Sequence, residues 1–190
     1  MSATEADPYV DEATGLLRNE FGSATREHFD THERRFVTQR LTEGAPQGDF
    51  DLAHLQAIHR HLLQDVFAWA GALRTVDMTK NGARFQFATR IERDMAAIHA
   101  DLAAKNFLRA IGPGDFAREA AALISDVNFL HPFREGNGRT QLIYLQQLAH
   151  QAGHPLDLTR LPAEPWIEAS RASMEGDNEP FAAMIAAALQ

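Results

Sequence analysis

His131-Pro132-Phe133-Arg134-Glu135-Gly136-Asn137-Gly138-Arg139 is a short polar interruption between two long apolar-patterned segments. Before it, Phe116, Ala120, Leu123, Ile124, Val127 and Leu130 recur at the three- and four-residue spacing of an amphipathic helix, following Pro113 and Gly114. After it, Leu142, Ile143, Leu145 and Leu148 resume that spacing and stop near Gly153 and Pro155. Pro132 disfavours helical backbone at the preceding residue, so the first helix closes near His131 and a second opens just after the glycines. The stretch is thus a loop at a helix entrance, held between two core helices.

Working outward, Leu52, Leu55, Ile58, Leu62, Leu63, Val66 and Phe67 predict a further helix, with Asp49 or Asp51 as N-cap and Gly71 beyond its end. Ile91, Met95, Ile98 and Leu102 predict another, and two shorter ones follow over 164–174 and 180–189, separated by Gly176-Asp177-Asn178. The span 73–88 differs: Thr75, Val76 and Met78 lead through Lys80-Asn81-Gly82 to Phe85, Gln86 and Phe87. Asn-Gly between β-favouring residues is the strongest short-range hairpin signal. The expectation is an all-α domain carrying one exposed β-hairpin, which is marginal alone and must lean on the helices. Thr14 to Gly22 reads as an N-terminal strap, followed by a charged helical stretch from Glu27 to Arg40.

The chain has 190 residues, 45% of them hydrophobic and 23% charged, which suits one domain with a single core. A net charge of −8 argues against non-specific attachment to nucleic acid or an anionic membrane, both of which need clustered basic residues. A protein or small-molecule partner fits better. With no cysteine, disulfides and thiolate metal sites are excluded. Met1 to Asp7 is polar and acidic, unlike a signal peptide, and no apolar run is long enough to span a bilayer. The default expectation is a soluble, cytoplasmic protein, with export through a specialised secretion system kept open.

The loop chemistry points to phosphate. Gly136 and Gly138 let backbone amides approach a ligand closely, and the helix that follows aims its unsatisfied N–H groups and positive end at the same spot. Asn137 offers a side-chain amide and Arg139 a planar fork for phosphate oxygens. Phe133 is placed to turn inward and anchor the loop. Glu135 would repel phosphate unless a cation intervenes, and a magnesium ion bridging the two resolves the conflict. His131, with an ordinary pKa of about 6.5, is suited to take a proton from a hydroxyl near neutral pH. The assembled reading is group transfer from a magnesium nucleoside triphosphate to a hydroxyl.

Each part also has a structural reading. A histidine at a helix end is often a cap or core residue, Gly-Asn-Gly is commonly a turn, and a Glu-Arg pair is commonly a solvated ion pair. Of the other histidines, His28 with His32 and His150 with His154 have the four-residue spacing of helical zinc ligands, but no third ligand accompanies them. Trp69 and Trp166 read as packing residues rather than a cofactor box.

The loop resembles the Fic family signature, His-x-Phe-x-(Asp/Glu)-Gly-Asn-Gly-Arg-x-x-Arg, and matches it at His131, Phe133, Glu135, Gly136, Asn137, Gly138 and Arg139. The resemblance extends to Ile58-His59-Arg60-His61-Leu62, to Asp65 through Gly71, to Leu73-Arg74-Thr75-Val76 and to the strap at Thr14-Gly15-Leu16-Leu17-Arg18-Asn19. It implies a compact helical Fic fold over 1–190: strap and first helix over 1–50, core over 51–155 with a flap at 73–88 and the signature at 131–139, and C-terminal helices over 156–190. It further implies transfer of AMP from ATP to a hydroxyl side chain of a target protein, with release of pyrophosphate. On that resemblance His131 is the general base, Glu135 binds Mg2+, Gly136, Asn137 and Gly138 form the anion loop, and Arg139 holds nucleotide phosphates. Lys80, Asn81, Gly82 and Phe85 of the flap would register an extended target segment by strand addition. Toxin-like or effector-like members act in the cytoplasm or are delivered into a target cell, and a small antitoxin is a candidate partner.

One departure stands out. The final arginine of the signature falls at position 142, where this chain has Leu142. In the family that arginine contacts the far end of the triphosphate and pairs with an inhibitory glutamate. A charge-assisted contact of this kind contributes roughly 1.5 to 3 kcal/mol, so the change implies weakened AMP transfer, a changed nucleotide or transferred group, such as the phosphoryl group that the Doc branch transfers, or a non-catalytic interaction module. Arg134 or Arg139 is the candidate to supply the missing charge. Ser23 to His28 fits the inhibitory Ser/Thr-x-x-x-Glu-Gly/Asn motif only loosely, and Glu175-Gly176 lacks its hydroxyl residue, having Arg171 instead.

Overall fold

The computed structural model describes residues 7–80 and 82–190; Asn81, expected at the flap tip, lies outside the described residues. Among the described residues are seven α-helices: α1 (Arg26–Glu43), α2 (Leu52–Leu63), α3 (Ile91–Ala104), α4 (Pro113–Leu130), α5 (Asn137–Ala152), α6 (Ala163–Met174) and α7 (Glu179–Ala188). The strands are β1 (Thr79–Lys80) and β2 (Ala83–Arg84).

Helix α4 is the central element, packing on α3, α5, α6 and α7, while α2 lies along α5 and carries α1 on its other side. The sequence reason is plain in α4, where Phe116, Ala120, Ala121, Ile124 and Val127 are fully buried, small residues alternating with large ones so that neighbours approach on several sides. Caps fix the ends. Asp51 accepts from the His54 amide at 2.8 Å to start α2, and Gly153, at φ 87°, closes α5 in the left-handed conformation that favours glycine.

Two expectations need correction. Helix α2 ends at Leu63 and does not run on through Phe67. Val66 and Phe67 both donate to the Leu63 carbonyl, and the Val66 carbonyl is taken by the amide of Glu20 in the strap at 3.0 Å. These residues are apolar because the turn is buried, not because the helix continues. The hairpin ladder is also much shorter than 73–88: among the described residues it pairs Thr79 with Arg84 and Lys80 with Ala83, with Gly82 at φ 83° in the turn. The rest of that span is held by the Arg74 side chain and by backbone bonds, the Phe85 amide donating to the Met78 carbonyl, the Arg74 amide to that of Pro132 and the Gln86 amide to that of Phe129.

The strap closes on itself through a bridge between Val10 and Leu17 and buries Leu16 in the core. No helix among the described residues is long and apolar enough to cross a membrane.

Candidate active site

The last turn of α4 delivers His131 in left-handed geometry, φ 44° and ψ 62°. Such backbone is costly for a residue with a side chain, so something must hold it. The holder is Arg74, whose guanidinium is buried and donates to the carbonyls of His131 at 2.7 Å, Leu130 at 3.2 Å and Val76 at 2.6 Å, and also to that of Gln86. A cation at a helix C-terminus meets carbonyls that have no helical partner. Here the same cation joins the end of α4 to both arms of the flap.

The imidazole of His131 is stacked on Phe85, ring centroids 3.8 Å apart. Among the described residues its Nδ1 is buried without a well-formed hydrogen bond. Burial pushes the pKa down to about 3; the Asn128 carbonyl opposes this, and the charges of Lys80, Arg74 and Arg134 add to it. The ring is therefore neutral in the free protein at physiological pH. Phe85, expected to face a docking target, is instead buried by this contact.

The loop beyond is clamped from inside. Phe133 is fully buried and stacks on His59 at 3.8 Å. Asn137 accepts from the Phe133 amide at 3.0 Å and donates to the Phe133 carbonyl at 2.7 Å. This corrects the expectation that the Asn137 side-chain amide meets an anion: both its ends are spent closing the loop, leaving only its backbone. His59 accepts from the Gly71 amide at Nδ1, 2.8 Å, so the proton sits on Nε2, which donates to the Glu135 carbonyl at 2.9 Å. Burial holds His59 at about 4, with the Glu135 carbonyl opposing and Arg139 adding to the depression.

Gly136 and Gly138 differ in what they do. Gly136 has φ 83°, and a Cβ there would come within 2.3 Å of Leu63, a steric reason for glycine. At Gly138 a Cβ would meet no atom of the described residues within 4 Å beyond its own helical backbone and chain neighbours, so the missing side chain leaves room in the adjoining cavity. No side chain caps α5 at Gly136, and the Glu135 carboxylate accepts from the Gly136 amide at 3.0 Å. First-turn amides of α5 are turned to the space where an anion is favoured.

Two cavities meet at this loop. One, about 470 Å³, is bounded by the β1 arm from Val76 to Lys80, by Asp7 and by Arg134. The other, about 570 Å³, is bounded by Ala83 and Phe85, by Arg139 and Leu142 on α5, and by an apolar α6 face that includes Trp166, Ile167 and Met174. Lys80, His131, Glu135, Gly136 and Gly138 border both. The flap thus divides a polar chamber from an amphipathic one, with the imidazole on the wall between.

Neither arginine suggested as a substitute at position 142 is free. Arg134 pairs with Asp7 of the strap at 2.8 Å, and Arg139 with Glu33 of α1 at 2.7 Å, 3.8 Å from Glu135. The carboxylate on Arg139 comes from neither Glu27 nor Glu175. Among the described residues no group of three or more His, Asp or Glu side chains is arranged to hold a metal. Glu135 lies beside the anion-favouring amides, an arrangement that fits magnesium, which commonly takes one or two protein carboxylates and completes its shell with phosphate and water.

Arg74 and His59 fall within the stretches that carry the family resemblance, but no local signal gives their roles, nor those of Glu33 and the α6 wall. A buried arginine carries no local pattern, and Glu33 looks like any charge on a solvated helix.

A model of the Fic/DOC family matches residues 49–149. The chain is 38% identical over 180 residues to "Probable protein adenylyltransferase y4lH" of Sinorhizobium fredii, covering 94% of each. It is 36% identical over 182 residues to "Protein adenylyltransferase VbhT" of Bartonella schoenbuchensis, covering 94% of this chain and 38% of that one. Among solved structures, an ADP-bound N-terminal Fic domain of a VirB-translocated effector from Bartonella quintana superposes with a TM-score of 0.87 at 25% identity, over 96% of this chain and 94% of that one. The type IV secretion effector BepA gives 0.87 at 30% identity, over 96% and 68%.

Proposed function

Because this chain belongs to the Fic/DOC family, we propose that it is a protein adenylyltransferase that moves AMP from Mg-ATP to a hydroxyl side chain of a target protein. The observation that carries the reading is the position of His131, bordering two cavities that share the glycine loop. The amphipathic chamber takes the nucleotide, its base and ribose against the apolar α6 face and its phosphates at the amides of Gly136 to Arg139. The polar chamber takes the target, an extended segment aligned on the free edge of β1 so that its hydroxyl comes up to the imidazole. Lys80 and Gly82 lie on the docking side of this arrangement.

In the step itself, neutral His131 accepts the hydroxyl proton and the oxygen attacks the α-phosphorus. A new P–O bond forms, the bond from the α-phosphorus to the α,β-bridging oxygen breaks, and pyrophosphate leaves with that oxygen. An imidazole held near 3 is a weak base, but polyphosphate charge beside it raises its pKa, so the donor itself prepares the acceptor of the proton. Glu135 would hold Mg2+, which neutralises phosphate charge when bound. Arg139 joins the phosphates once it leaves Glu33.

The site of action proposed is the cytoplasm, of the producing cell or of a cell that receives the protein as translocated effectors are received. Leu142 lining the donor chamber supports one competing reading, in which the donor or the transferred group is altered. Incubation of a cell lysate with the protein and ATP labelled at either the α- or the γ-phosphorus separates the two. The α-label is expected in protein, and exclusive appearance of the γ-label would replace nucleotidyl by phosphoryl transfer.

A further inference from the structure

The donor chamber has an arginine that the preceding account leaves unused. Arg171, on α6, lines it together with Leu142, Gly138 and Arg139. Asn128, in the last turn of α4, donates to the Ser170 carbonyl at 3.0 Å and to the Ser173 hydroxyl at 3.1 Å, which fixes this stretch of α6 against the end of α4 that carries His131. The other cations around the loop are committed: Arg74 to carbonyls, Arg134 to Asp7 and Arg139 to Glu33. Lys80 also borders this chamber, but from the flap beside His131, on which its charge acts. Arg171 forms no ion pair among the described residues, although Glu175, one turn later, lines the same chamber.

The chain of phosphates has to be matched somewhere beyond the glycine loop. Along α5 the residue one turn past Gly138 is Leu142, which offers no charge. A triphosphate lying at the first turn of α5 would find from that helix only Arg139, which is paired with Glu33, and no cation at position 142. The opposite wall has one, on an exposed flexible side chain able to swing across, with a planar fork suited to phosphate oxygens.

We propose that Arg171 of α6 holds the β- and γ-phosphates of the donor, doing from across the chamber what position 142 does not do from α5. This rests on the nucleotide reading above. It makes α6 a donor-binding element, supplying the outer phosphates with a cation beside Arg139, which must first leave Glu33, while Arg134 stays with Asp7.

The test is titration of the full chain with Mg-ATP and, separately, with AMP, which lacks the outer phosphates. Arg171→Gln is expected to weaken Mg-ATP binding on the order of tenfold and to leave AMP binding unchanged. Adding Leu142→Arg to that variant should restore most of the loss, an outcome that a merely structural arginine would not produce. Equal weakening of both nucleotides, or no weakening of Mg-ATP, overturns the proposal while the nucleotide reading stands. If the unaltered chain binds neither nucleotide, the nucleotide reading itself falls and this inference falls with it.

Discussion

The imidazole of His131 lies flat on the ring of Phe85, centroids 3.8 Å apart and planes within 13° of parallel. The contact joins the residue proposed as base to the arm of the flap that follows β2, so flap position and base position are one variable. Phe85→Ala should uncover the imidazole, raise its pKa towards 6.5 and slow turnover by about tenfold or more through loss of alignment. NMR titration of the His131 ring checks the first effect and steady-state rates the second.

Arg74 serves carbonyls from α4, from His131 and from both arms of the flap. Arg74→Met leaves those acceptors buried without a donor and is expected to destabilise the fold by about 3 kcal/mol or more. Arg74→Lys keeps the charge but not the fork and should recover only part. Chemical denaturation of the two variants measures the difference.

The two loop glycines should separate by experiment. Gly136→Ala forces a side chain into positive φ and into Leu63, with an expected cost of about 2 to 4 kcal/mol. Gly138→Ala meets no atom of the described residues beyond its own helix and should fold as before while losing nucleotide binding. Thermal melts alongside ATP titrations of both proteins test this, and equal melting losses would contradict it.

Histidine burial sets an acid limit on stability. His131 is depressed to about 3 and His59 to about 4. The unfolded chain takes up these protons below about 6.5 while the folded one does not, so their contribution is fully present above that pH. It is lost as pH falls towards 4 for His59 and towards 3 for His131, at about 1.4 kcal/mol per pH unit for each histidine. Urea denaturation between pH 7 and pH 5 should show a shallower pH slope in His59→Gln than in the unaltered chain.

The ion pair between Arg139 and Glu33 competes with phosphate for the same guanidinium. Glu33→Gln should tighten Mg-ATP binding several-fold, since a charge-assisted contact is released. Unchanged affinity would mean that Arg139 does not need to leave Glu33 to serve the nucleotide.

How much of this was legible in the sequence depends on the range of the interaction. Helices α3 to α7 follow from apolar spacing with proline and glycine stops, because such signals are local. The end of α2 is not legible because Val66 and Phe67 keep the apolar rhythm for the sake of a buried turn, and the strap amide that takes the Val66 carbonyl is forty-six residues away. The loop was readable as an anion site from Gly136, Gly138 and the helix behind them. What Asn137 does was not, because an asparagine bonding its own loop and one facing a ligand have the same spelling. Phe85 reads as a hairpin residue until His131 is seen against it. Arg74 and Glu33 act across 57 and 106 residues of chain, and nothing near either one announces the partner.

His131 is proposed to take the proton of the incoming hydroxyl, with the donor bound independently of it. Mass spectrometry of modified protein, run beside Mg-ATP titration for the unaltered chain and for His131→Ala, tests both halves together. The account predicts an added AMP with the unaltered chain, and in the variant no added mass with ATP binding kept. Continued AMP transfer by His131→Ala at a comparable rate would contradict it.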